Sequence, residues 1–306
     1  MDLHFDNGEK YQIVRASLLQ ELEKEIRAFQ SAVPLNAFQQ WIVKELYHFT
    51  LPETDFPINS ILLLAIPHPF YSDVEFHYNN KDYHCVSLVS SDFEGAKNAV
   101  ERESARKGFR FREAENLPLK RLAVQSGFSL YGRNNITYID GLGSNFSYLA
   151  FYTDIPPTVS ALIPVEVSNS CRNCRACLKN CPTGAIRQDI FLIDNEKCLS
   201  CLNESADPFP EWLPAKVHHT LYDCLKCQII CPMNRDQKDK KGKDIQLSEE
   251  ETGILLAGTS FEEYPARLKE IGGYLGLDQW PEGIAKNIKA IIDREDGVFR
   301  RATASA

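Results

Sequence analysis

The longest apolar run, Ile61 to Ile66, stands between Pro57 and Pro67-His68-Pro69 with no polar alternation inside it, which predicts a strand buried in the middle of a sheet. Before it, Leu18, Leu22, Ile26 and Phe29 recur at helical spacing and predict an amphipathic helix over 14–29. A second helix is expected after Pro34, with Phe38, Trp41, Ile42, Leu46 and Phe49 on one face and Pro52 as its stop. Residues 74–89 alternate on either side of the polar stretch Asn79-Asn80-Lys81-Asp82 and predict a hairpin. A charged helix over 94–107 follows, then a short half-exposed strand over 109–112. Pro118 opens a helix with Leu119, Leu122 and Ala123 inward, which stops at Gly127. Strands are expected over 136–139 and 146–153, with turns at Tyr131 to Asn135 and Gly141 to Ser144. Ser248 with Glu251 forms a capping box that starts a late helix. Pro281 to Arg294 is a last helix, with Ile284, Ile288, Ile291 and Ile292 on one face, and the tail from Gly297 is expected to be loose.

Between the strand-rich part and those late helices the patterning gives way to cysteines. Nine of the ten lie in Cys171-x2-Cys174-x2-Cys177-x3-Cys181-Pro182, Cys198-x2-Cys201 and Cys224-x2-Cys227-x3-Cys231-Pro232. The first run has the spacing of a bacterial two-cluster ferredoxin, in which three thiolates hold one four-iron cube and the fourth crosses to the other. By that rule Cys171, Cys174, Cys177 and Cys231 hold one cluster. Cys181, Cys224 and Cys227 hold the other, with Cys198 and Cys201 as candidates for its last ligand. Paired CxxC motifs also suit zinc or disulfides, but zinc has no need of the x2-x2-x3-Pro run, and no export signal favours disulfides. His218 and His219 fall between the cysteine groups and read as loop residues near the clusters.

The chain of 306 residues has room for two domains, and its 43% hydrophobic and 25% charged content is that of a globular protein. The polar amino terminus has no signal-peptide core, and no apolar run is long enough to span a bilayer, so a cytoplasmic protein with no membrane partner is expected. A net charge of −8 argues against a broad nucleic-acid surface. The basic residues from Arg102 to Arg112 and from Arg235 to Lys243 read as solvated faces. Strands alternating with helices ahead of a cysteine module predict an α+β chain in three parts: a cofactor domain over 1–165, a double 4Fe-4S ferredoxin-like domain over 166–236, and a helical segment over 237–306.

The segment from Pro118 to Asn135, Pro-Leu-Lys-Arg-Leu-Ala-Val-Gln-Ser-Gly-Phe-Ser-Leu-Tyr-Gly-Arg-Asn-Asn, resembles one shared by epoxyqueuosine reductases and reductive dehalogenases. Gly143-Ser144 through Thr153-Asp154 looks like its continuation. The resemblance covers roughly residues 57–295. It implies a nitroreductase-like domain that holds a corrinoid, fed with electrons by two four-iron clusters. It matches Cys198, not Cys201, to the lone cysteine of epoxyqueuosine reductases. It implies a cobalamin site lined by Tyr131, Gly132, Arg133, Asn134, Gly143 and Ser144, and a general acid at Asp82 in the triplet Asp82-Tyr83-His84. A ferredoxin or flavodoxin would donate electrons, and the substrate would be a nucleoside or another small electrophile. Epoxyqueuosine reductases continue into a helical-repeat domain that helps hold tRNA; the chain ends at the helix before it, which weakens tRNA as a partner. The alternatives are a plain electron-transfer protein and a flavin-dependent reductase.

Overall fold

The computed structural model describes residues 2–189 and 191–297. In chain order the elements are β1 (Lys10–Arg15), α1 (Leu18–Ala32), α2 (Ala37–Trp41), β2 (Ser60–Pro67), β3 (Ser72–Tyr78), β4 (Lys81–Ser87), α3 (Phe93–Lys107), β5 (Phe111–Glu113) and α4 (Leu119–Gln125). Then come β6 (Leu130–Tyr131), β7 (Thr137–Tyr138), β8 (Phe146–Thr153), α5 (Ala176–Asn180), α6 (Leu199–Glu204) and α7 (Lys226–Ile229). The last are β9 (Ile245–Leu247), α8 (Glu249–Leu256), α9 (Ala266–Leu275) and α10 (Pro281–Glu295). The chain forms two compact units. One comprises residues up to His68, Ser91–Gly132 and Ile136–Arg172; the other comprises Pro69–Ser90, Arg133–Asn135 and Asn173 onward. Among the described residues no helix is long and apolar enough to cross a membrane.

The first unit is built on a four-stranded sheet of order β1-β2-β8-β5, antiparallel throughout. Its strand β2 is inaccessible from Ile61 to Ala65 because helices cover both faces. Ile61 and Leu63 pack with Leu18, Leu22 and Ile26 of α1 and with Leu122 of α4. Leu62 and Leu64 pack with Ala96 and Val100 of α3. A strand covered on both sides needs no polar alternation, hence the continuous apolar run. Gly127, at φ 77°, ends α4 in the left-handed region that glycine enters without strain.

The second unit carries the hairpin. Asn79 and Asn80 both take positive φ, 51° and 58°, the backbone of a two-residue hairpin turn whose twist matches its strands. Strand β3 pairs antiparallel with β4 and parallel with β9. Val74, Phe76, Tyr83 and Cys85 of the hairpin enter one core with Leu255 of α8, Leu268 of α9 and Ile284, Ile288 and Ile291 of α10. That shared core is why the hairpin groups with the late helices instead of with the amino-terminal domain expected over 1–165.

Two local expectations are corrected. The helix expected over 14–29 begins at Leu18, and the residues before it form β1, an edge strand paired with β2 from Lys10↔Ala65 to Arg15↔Ser60. The helix expected after Pro34 is a five-residue α2, capped by Asn36 and Gln39, running into a π-helical turn over Ile42–Leu46. Its aromatic face is not a core face: Phe38 and Trp41 are 45% and 49% exposed. The expected capping box of Ser248 and Glu251 is formed. Residues beyond Gly297 lie outside the described residues.

Candidate metal centre

No disulfide joins any of the ten cysteines. Cys181 follows α5 directly, and Cys231 precedes a 3-10 helix whose first residue is Pro232. Cys198 caps the amino end of α6, and Cys224 and Cys227 flank the start of α7. The thiols of Cys181, Cys198 and Cys224 lie within electrostatic reach of one another, and Cys227 lies within reach of Cys224 and Cys198. Thiols from three separate motifs are thereby brought within electrostatic reach of one another. Cys201 senses instead Glu204, Glu196 and a hydrogen bond with Asn195. Among the described residues no group of three or more His, Cys, Asp or Glu side chains is arranged to hold a single metal ion.

The sulfurs are supplied with donors. Burial pushes the Cys181 thiol up, but the amides of Thr183, Ile186 and Ala185 and the Thr183 hydroxyl outweigh it and hold the group below its ordinary value. Burial raises Cys198 to about 11 against the amides of Cys201 and Ser200 at the start of α6. Burial raises Cys224 to about 12 against the Lys226 amide. Cys227 is raised by burial and is met by the side-chain amide of Asn134. A metal ligand must be an anion, and amide donors aimed at sulfur favour one.

A polar lattice fixes the loops. Ser200 Oγ donates to Asp223 Oδ1 at 2.7 Å, the Cys224 amide donates to the same oxygen at 2.6 Å, and Asn203 Nδ2 reaches the Asp223 carbonyl at 2.7 Å. From α10, Asn287 Nδ2 donates to the carbonyls of Asn203 and Leu221. His219 contacts the carbonyls of Val217 and Cys224, a structural role beside the cysteines. Asp223 and Leu225, on either side of Cys224, both hold positive φ, 62° and 58°. For a buried leucine that conformation is costly, and such strain gathers where a site dictates the backbone.

The residues expected to line a cofactor divide between the units. Tyr131, Gly132, Gly143 and Ser144 belong to the first, Arg133 and Asn134 to the second. Tyr131 is buried within reach of Arg121, Tyr47 and Tyr148. Gly143 exchanges backbone hydrogen bonds with Ile139, and Ser144 is buried behind it. The next residue, Asn145, has no sequence signal of its own. It is 3% exposed, and neither end of its side-chain amide has a partner. A buried amide in that state is costly, and a bound ligand would satisfy it. Asp82 is the second residue of β4, exposed, opposite His77, with Nδ1 of the histidine 2.6 Å from its Oδ1.

A family model described as a 4Fe-4S double cluster binding domain matches residues 170–234. The epoxyqueuosine reductase of Aliivibrio fischeri is 31% identical over 167 residues, 54% of this chain and 43% of that protein. The Escherichia coli enzyme of the same name is 29% identical over 181 residues, 58% of this chain and 46% of its own length. The chain thus resembles epoxyqueuosine reductases over more than half its length and spans less than half of these relatives. Among solved structures, epoxyqueuosine reductase from Bacillus subtilis covers 93% of this chain and 77% of its own, with a TM-score of 0.59 and 17% identity. An epoxyqueuosine reductase with an epoxyqueuosine-modified tRNA-Tyr stem loop aligns with a TM-score of 0.62, 17% identity and the same coverage. At that identity the likeness is one of fold.

Proposed function

We propose that this chain is an iron-sulfur oxidoreductase of the epoxyqueuosine reductase type, in which two four-iron clusters deliver electrons to a corrinoid held by a nitroreductase-like domain. The observation that supports it most is the match of residues 170–234 to a 4Fe-4S double cluster binding domain, together with the electrostatic reach among Cys181, Cys198 and Cys224, which come from three different motifs. In this reading Cys171, Cys174, Cys177 and Cys231 hold the other cluster. Tyr131, Gly132, Gly143 and Ser144 of the first unit hold the cobalamin, and the unpartnered side-chain amide of Asn145 fits a loop that touches a ligand. When bound, the corrinoid supplies a strongly nucleophilic reductant for an electrophilic carbon.

The protein's own task is to exclude water, orient the substrate and deliver a proton. We assign the proton to Asp82, with His77 placed to reload it across their hydrogen bond. The substrate is a nucleoside epoxide, carried on tRNA or free. A small low-potential carrier such as ferredoxin or flavodoxin supplies the electrons, in a reducing, cytoplasmic setting.

Anaerobic reconstitution followed by iron, sulfide and cobalt counting after gel filtration with cobalamin tests the reading. About eight irons and one retained cobalt are expected. Eight irons without cobalt would make the chain an electron carrier or a flavin enzyme. Fewer than four would remove the cluster assignment.

A further inference from the structure

Hydrogen bonds to the sulfurs are one of the few means by which a protein sets the potential of a four-iron cluster, together with net charge and burial. Three of the four gathered cysteines take donors from the backbone: Cys181 from Thr183, Ala185 and Ile186, Cys198 from Ser200 and Cys201, and Cys224 from Lys226. Cys227 differs. Its sulfur meets the side-chain amide of Asn134, distant in sequence and 4% exposed. The three residues Arg133–Asn135 belong to the unit that carries Cys227, while the chain on either side belongs to the other.

We propose that the side-chain amide of Asn134 is a positioning residue that raises the reduction potential of the cluster held by Cys181, Cys198, Cys224 and Cys227. The inference rests on the cluster assignment above. Reduction adds one negative charge to the cube and its thiolates, and a neutral N–H donor aimed at a ligand sulfur stabilises the more negative state more. Asparagine supplies that donor without adding a charge of its own. A residue expected to line a cofactor therefore acts on the wire that feeds it.

The test is an anaerobic redox titration of the reconstituted full chain, followed by electron paramagnetic resonance. Asn134→Leu keeps the branched shape and removes the donor. One of the two clusters should become about tenfold harder to reduce, about 59 mV for a one-electron couple. The other should stay at its wild-type value, and iron content should be unchanged. Asn134→Asp keeps the shape even where leucine disturbs folding, replaces the donor with a charge, and should shift the same cluster in the same direction by more. Asn134→Ser, which retains a donor, should return part of the loss. Variants that load fully yet leave both potentials in place would overturn the proposal, as would equal shifts in both clusters. A wild-type chain that loads no second cluster would sink the function reading first and this inference with it.

Discussion

Ser200 donates a hydrogen bond of 2.7 Å to the Asp223 carboxylate, and so ties the helix headed by Cys198 to the loop that presents Cys224. The same oxygen takes the Cys224 amide. Asp223→Ala should cost about 2 kcal/mol as the charge-assisted bonds are lost, and it should release about four of eight irons. Asp223→Asn keeps an acceptor and a residue tolerant of φ 62°, and should hold most of the iron. Iron counting together with urea denaturation checks both.

The choice between Cys198 and Cys201 is tested directly. Cys198 lies within reach of Cys181 and Cys224, while Cys201 faces Glu204 and Asn195. Cys198→Ser should halve the iron content after reconstitution, and Cys201→Ser should leave it at the wild-type level. The reverse result would move the ligand to Cys201.

With a reconstituted enzyme and an epoxyqueuosine substrate, Asp82→Asn should lower turnover by at least about 100-fold, the usual weight of a general acid. Iron and cobalt should remain bound, because Asp82 is exposed in a hairpin that the substitution leaves intact. Full turnover in this variant would place the acid elsewhere.

His77 gives a pH signature. Its hydrogen bond to Asp82 raises its pKa above 6.5. Because the folded value is the higher one, the pair's contribution to stability is fully present below the unfolded pKa and fades as pH rises through the folded value. Following the His77 ring protons by NMR should show the elevated titration in the wild type. Its return toward 6.5 is expected in Asp82→Asn; an unchanged midpoint would mean that the pair is not formed in solution.

The legible features were those whose cause is local. The run from Ile61 to Ile66 announced β2 because prolines bound it, and the cysteine spacing announced the cluster module because ligands within one loop must be close in sequence. Strand β1 was hidden because Ile13 and Val14 merge with the helical period that starts at Leu18. The apolar period of Phe38 and Trp41 misled because the chain turns into a π-helical segment instead of seating that face on a core. Asp223 and Asn145 carried no signal, and Asn134 was legible only as a cofactor-lining residue, not as a partner of Cys227. Their meaning comes from partners brought near by folding, or, for Asn145, from the lack of one inside a buried loop.

Strand β2 is walled in by β1 and β8 at its edges and by helices on both faces. Its amides therefore have no local route to solvent, and deuterium should enter them only when the whole first unit opens. The hairpin and the late helices have a core of their own. In heavy water, β2 thus becomes an internal clock for the first unit: a slower clock after adding cobalamin would register binding there with no catalytic assay at all.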